Sequence, residues 1–197
     1  MRRDDGRAGI ASLEFALMLP ALLVLFVGVA EALLYMRTWY RLDRTAMEIA
    51  NITSQYETIA SANISQLFDA ANSIASPIMA NSATGNASSR ARTLISVVSN
   101  TGSGNSVAWS CSRGDSTLPA TVAGRTTLPN SLVVPSGQTL VVVEVINGTR
   151  PWQTLVRLAT ITSFLGFTVP DPGPIRTFAL VRPRTGTLAT LTGNCPA

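Results

Sequence analysis

The apolar positions of this chain follow three different rhythms. From Ile10 to Met36 they form a nearly unbroken run of 27 residues whose only charges are Glu14 and Glu31. The uncharged centre, Phe15 to Ala30, is shorter than the roughly 20 residues a bilayer crossing needs. With its flanks it makes a helix about 40 Å long, enough to cross with the glutamates near the two ends. Pro20 and Gly28 are tolerated in such a helix, and Pro20, which lacks a backbone donor, is expected to bend it. Tyr35, Trp39 and Tyr40 then supply an interfacial aromatic belt.

From Arg37 to Ala60 the rhythm becomes helical: Leu42, Ala46, Ile49, Ala50, Tyr56 and Ile59 recur with no Gly or Pro between them. The spacing predicts one continuous helix over about residues 10–60, apolar first and amphipathic after. No strict heptad with flanking charge pairs holds, so the stripe is expected to pack on the rest of the chain rather than in a coiled coil. Asn63 and Gln66 read as an N-cap and its partner, opening a helix from Ile64 to Ala75 that Pro77 stops.

The third rhythm is that of strands. Residues 81–89 are a Ser/Asn/Gly loop. Arg92–Ser99 and Ser106–Cys111 flank the turn Asn100–Asn105 and predict a hairpin. Ser112–Gly137 reads as a long loop with one short extended piece at Leu132–Val134. Thr139–Ile146 is the clearest strand, apolar apart from Thr139 and Glu144, and Ile175–Arg182 is the last. Residues 151–167 are ambiguous: Trp152, Leu155, Val156, Leu158, Ala159 and Leu165 fit a helix, Thr160-Ile161-Thr162 a strand, and helix or irregular packing is favoured. The pattern predicts an α+β fold: a long N-terminal helix, half transmembrane and half amphipathic, and a short second helix packed on a small antiparallel sheet of about four strands.

Composition narrows the chemistry. Charged residues are 13 % of the chain, about half the usual share. All 15 basic residues are Arg, with no Lys and no His. The commonest general base and metal ligand is therefore missing, as is any Lys nucleophile. Asp115, Glu144 and Asp171, the acids of the C-terminal half, are isolated in sequence, so paired-carboxylate catalysis has no candidate there. No enzyme, cofactor, metal site or small-molecule substrate is expected. The arginines are dispersed rather than patched among aromatics, which argues against nucleic acid. Trp109 and Trp152 are expected in the core.

Cys111 and Cys195 both follow the apolar run. Two thiols on the exported side of a membrane most often form one disulfide; the alternative is two separate buried thiols. Three Arg precede the span (Arg2, Arg3, Arg7) and three follow it (Arg37, Arg41, Arg44), so positive charge leaves orientation tied. The disulfide and the Ser/Thr-rich C-terminal part favour the C-terminal side out.

Three fates fit the N-terminal segment. It could be a plain anchor, with Glu14 snorkelling to the interface. It could be a signal peptide cut after Ala30 or Ala32, where small residues stand. Against that, apolar character continues to Met36. It could also be a leader cut after Gly9.

The stretch Gly9-Ile10-Ala11-Ser12-Leu13-Glu14-Phe15, followed by Ala16-Leu17-Met18-Leu19-Pro20, resembles the start of TadE-like pseudopilins and minor pilins of the Tad (Flp) type IV pilus system. Glu31 near the end of the span fits the same pattern. The resemblance is specific over residues 9–31. It implies a leader of residues 1–9, a transmembrane helix 10–36, an amphipathic stalk 37–76 and an extracytoplasmic sheet domain 90–197. It implies cleavage between Gly9 and Ile10 by an aspartic prepilin peptidase, and a pairing of the new amine with Glu14, beside Phe15. The implied partners are the membrane, that peptidase, other pilin and pseudopilin subunits and the Tad inner-membrane machinery. The implied location is the bacterial inner membrane, single-pass, N-terminus cytoplasmic and C-terminal domain periplasmic, with possible entry into the fibre. Asp4-Asp5 departs from the usual positive leader. The alternatives are a generic single-pass envelope protein with a partner-binding exported domain, and a small domain released by signal peptidase.

Overall fold

The computed structural model describes residues 5–79, 90–148 and 173–196, with side chains from Ser12 onward. The expectations for the loop 81–89, for residues 151–167 and for Trp152 lie outside the described residues. Two compact units divide the chain, with the boundary in α1 between Arg37 and Thr38.

Helix α1 spans Asp5–Thr53 and continues through Pro20. It begins five residues before the expected start. No breaker other than Gly6 and Gly9 stands there, and acidic residues at a helix start suit the helix dipole. The peptide between Gly9 and Ile10 is therefore inside a helical stretch.

The helix ends at Thr53 rather than near Ala60. Thr53 Oγ1 donates to the Ile49 carbonyl at 2.7 Å and Ser54 Oγ to the Asn51 carbonyl at 2.7 Å. Such local bonds compete with helix propagation. The chain around Arg184 then takes over the helix end: its N–H donates to the Ser54 carbonyl at 2.8 Å and its guanidinium to Asn51 Oδ1 at 2.8 Å. Tertiary partners thus override the periodicity that Tyr56 and Ile59 continue.

Beyond the helix end, β1 (Ile59–Ala60) pairs in parallel with β6 (Leu191–Thr192). Helix α2 follows at Ser61–Ile74. Its N-cap is Ala60, not Asn63. Asn63 sits in the first turn and its Oδ1 accepts the Ala60 N–H at 3.0 Å. The β1 pairing fixes Ala60 in an extended conformation, so the helix can start three residues sooner.

The main sheet contains β2 (Ala91–Asn100), β3 (Asn105–Gly114), β4 (Thr139–Asn147) and β5 (Ile175–Val181) in the antiparallel order β3-β2-β4-β5. All four expected strands are present and the fold is α+β. Strand β3 runs on to Gly114, three residues past Cys111, because Arg92, Thr93 and Leu94 of β2 pair with Gly114, Arg113 and Ser112.

Side chains alternate between the two faces of this sheet. One face meets α2. Arg113 on β3 donates to Asp69 Oδ1 at 2.9 Å and Ser65 Oγ at 3.0 Å, and its guanidinium lies 5.1 Å from the Phe68 ring centre. The register puts Trp109, Cys111, Ile95, Val97, Val141, Val143 and Val145 on that face, and all are buried. The amphipathic stripe Leu42, Ala46, Ile49 and Ala50 of α1 is fully buried in the same unit.

The opposite face carries Leu94, Val98, Val142 and Ile146. The segment 115–137 covers it, packing Leu118, Val122, Ala123, Leu128 and Val134 into one apolar cluster. The expected extended piece at Leu132–Val134 follows a short 3-10 turn, Pro129–Ser131. This segment has little regular structure but is tied to the sheet throughout.

Candidate assembly site

Two regions carry side chains whose placement asks for a function. The first is the N-terminal part of α1. From Ser12 to Phe26 every side chain is exposed, including Leu13, Phe15, Leu17, Met18, Leu22 and Leu25. Ser12–Thr53 is long and apolar enough to cross a membrane, by length and composition. A 61 % exposed Phe and a 78 % exposed Leu gain no burial in water, whereas lipid or neighbouring apolar helices take that surface out of water. The segment is compatible with a single-pass anchor.

Its two carboxylates differ. Glu14 is exposed, whereas Glu31 is 6 % exposed. Helical rise places them about 25 Å apart along the axis, close to the hydrocarbon thickness of a bilayer. Ile10 and Glu14 stand four residues apart, so on a helix they share a face, about 6 Å apart along the axis. An amine at Ile10 would therefore lie over the first turn that Glu14 reaches. Two of the belt residues, Trp39 and Tyr40, meet edge to face, with ring centres 5.2 Å apart.

The second region is the covered sheet face. Glu144, the single charge in the apolar run of β4, is fully buried. Its carboxylate is bound by the main chain of the covering segment. Oε1 and Oε2 accept the Thr121 N–H at 3.0 and 3.1 Å, and Oε2 accepts the N–H groups of Val122 and Ala123 at 2.9 Å each. Thr121 Oγ1 donates to Oε1 at 2.6 Å. Three successive N–H groups form a nest for one anion, which here is the protein's own side chain. Arg176 stands 3.8 Å from Oε1 and also donates to the Pro119 carbonyl. Arg92 donates to the Leu118 carbonyl at 2.7 Å, and Ser96 Oγ accepts the Gly124 N–H at 2.9 Å. This constellation fastens a loop and offers no reacting group to solvent. It was missed from sequence, although a lone carboxylate in a buried strand is itself a signal, since such a charge needs partners.

Cys111 and Cys195 are joined in a disulfide with Cα atoms 5.3 Å apart. Trp109 is in the core as expected, its Nε1 donating to the Leu188 carbonyl at 2.8 Å. Glu14 and Phe15 belong to one compact unit, and Cys111 and Cys195 to the other. Among the described residues no group of three or more Cys, Asp or Glu could hold a metal ion.

Residues 9–51 match the model of the family described as TadE-like protein. The match begins at Gly9, contains Glu14, Phe15 and Glu31, and ends inside the amphipathic part of α1. It agrees with the resemblance drawn from Gly9–Pro20. No curated protein and no solved structure matches the chain.

Proposed function

We propose that this protein is a structural subunit of a Tad/Flp-type pilus system, a minor pilin or pseudopilin made as an inner-membrane prepilin. The carrying observation is the Gly9…Glu14-Phe15 motif at the start of an exposed apolar helix, inside the TadE-like match. In this reading a prepilin peptidase cuts after Gly9 and frees Ile10 as an ammonium terminus. Glu14 pairs with that terminus or with a neighbour's. The pairing offsets the roughly 2.5–3.5 kcal/mol that a carboxylate costs at the centre of a membrane helix. The apolar face of α1 packs among other pilin helices, and the disulfide-closed head caps the assembly or recruits further subunits. The role is structural rather than catalytic.

The Gly9–Ile10 bond lies in a helical stretch, and a peptidase needs its substrate extended. Gly6 and Gly9 lower the cost of unwinding that turn, by about 1 kcal/mol each relative to Ala. A Gly9→Leu variant in cells that hold the prepilin peptidase tests the reading. The wild type should lose nine residues and the variant should keep them. Equal processing of both, or none of either, would contradict it.

A further inference from the structure

The segment 182–196 runs as a strap across the unit that begins at Thr38. Arg184 bonds Ser54 and Asn51 at the end of α1, and Thr185 Oγ1 donates to the Gln55 carbonyl at 3.3 Å. Thr187 accepts from Thr139 of β4, and Leu188 accepts from Trp109 of β3. β6 then pairs with β1, between the two helices. These contacts are each worth only about 1 kcal/mol net. The two-residue ladder between β1 and β6 is far below the length that holds a pair together in water. One covalent tie completes the strap: Cys195, which is exposed, bonded to Cys111, which is 1 % exposed on the helix-covered face.

We propose that this bond is an oxidative latch, closed from Cys195, and that the strap and the β1 pairing stay open until it forms. The reactant is a disulfide of the exported compartment, small or protein-borne. The Cys195 thiolate attacks one sulfur of that disulfide, forming a mixed disulfide and releasing one thiolate. When the strap lands, the Cys111 thiolate attacks Cys195 Sγ and expels the second. The protein loses two electrons and two protons; the reactant's sulfurs take up both. Cys195 goes first because it is carried on the released strap, whereas Cys111 stays within β3, paired with Ile95 of β2 on the helix-covered face. The latch is independent of the pilus reading, since it needs only the head.

Hydrogen exchange on the full chain in detergent micelles, oxidised against dithiothreitol-reduced, tests this. Peptides covering 56–61 and 184–194 should exchange at least tenfold faster when reduced, while β2 and β4 keep their protection. A C111S/C195S double variant should show the open pattern without reductant. C111S incubated with oxidised glutathione should carry glutathione on Cys195 and still be open. Identical exchange in both redox states, loss of protection throughout the sheet, or a closed glutathionylated C111S would each overturn the latch.

Discussion

Glu144 Oε2 accepts the backbone N–H of Val122 at 2.9 Å, a buried charge on β4 holding a segment that has almost no regular structure of its own. The neighbouring N–H groups of Thr121 and Ala123 share the carboxylate. Replacing it by Leu keeps the volume but leaves those donors unpaired beneath the loop. A loss of about 2–4 kcal/mol is expected. Denaturant titration of the full chain in micelles measures it. Glu144→Gln, which puts an amide N–H₂ against N–H donors, should fall between the wild type and Leu. A Leu variant as stable as wild type would show that the nest contributes nothing.

Gly124 lies next to that nest. Its φ is +71°, and a Cβ there would stand 2.8 Å from Ser110 Oγ. Its N–H is the one that Ser96 Oγ accepts. Gly124→Ala should cost about 1–2 kcal/mol through the left-handed backbone. Gly124→Ala in a Ser110→Gly background should recover only the steric part. Thermal melts of the single and double variants separate the two.

Much of the head was legible in the sequence. The four main strands follow from Val/Ile-rich runs flanked by Gly, Asn and Pro, and the turn Asn100–Asn105 sets the hairpin. The helix boundaries were less legible, because Arg184 and β6, over a hundred residues away, decide where α1 stops and α2 starts. Residues 112–137 read as a long loop from sequence, since the order of 115–137 comes from Arg92, Ser96, Glu144 and Arg176 on the facing strands, not from its own periodicity. In the candidate site, Gly9 and Glu14 stand out by resemblance to the TadE-like start, and the disulfide by the count and placement of the two cysteines. The Glu144 nest was not, because its donors are main-chain groups that no residue type announces.

The disulfide closes a loop with a sequence separation of 84 residues. A disulfide of this kind typically contributes about 2–4 kcal/mol of stability. Cys111→Ser with Cys195→Ser should lower the denaturation free energy by that amount while β2–β5 remain folded. Circular dichroism during a urea titration checks both statements.

Asp115 should give the head a small pH dependence. The Thr117 hydroxyl donates to its carboxylate at 2.6 Å and the Thr117 N–H at 2.9 Å, which together hold its pKa below the ordinary 3.8. A depressed folded pKa means stability present above pH 3.8 and lost as pH falls through the folded value. The carboxylate bond lies at the surface, so the effect is small and screened by salt. The Thr117→Ala variant should flatten the slope of the denaturation midpoint between about pH 2 and 5. An unchanged slope would mean the hydroxyl does not matter there.

Glu14 should matter for assembly and not for folding of the head. Glu14→Ala removes the one exposed carboxylate of the described span while leaving every contact of the unit after Thr38 in place. The variant should reach the membrane at the wild-type level and fail to co-purify with pilin subunits after crosslinking. Equal recovery of the two would favour a plain anchor, with Glu14 only an interface residue.

N-terminal sequencing of the protein extracted from membranes of cells that hold the prepilin peptidase tests the central claim most directly. A mature chain that begins at Ile10 is expected, with Glu14 one helical turn from the new amine. A chain that keeps Met1 would make α1 a simple anchor, and one that begins at Glu31 or Leu33 would mean that signal peptidase removes the helix and the pilin reading is wrong.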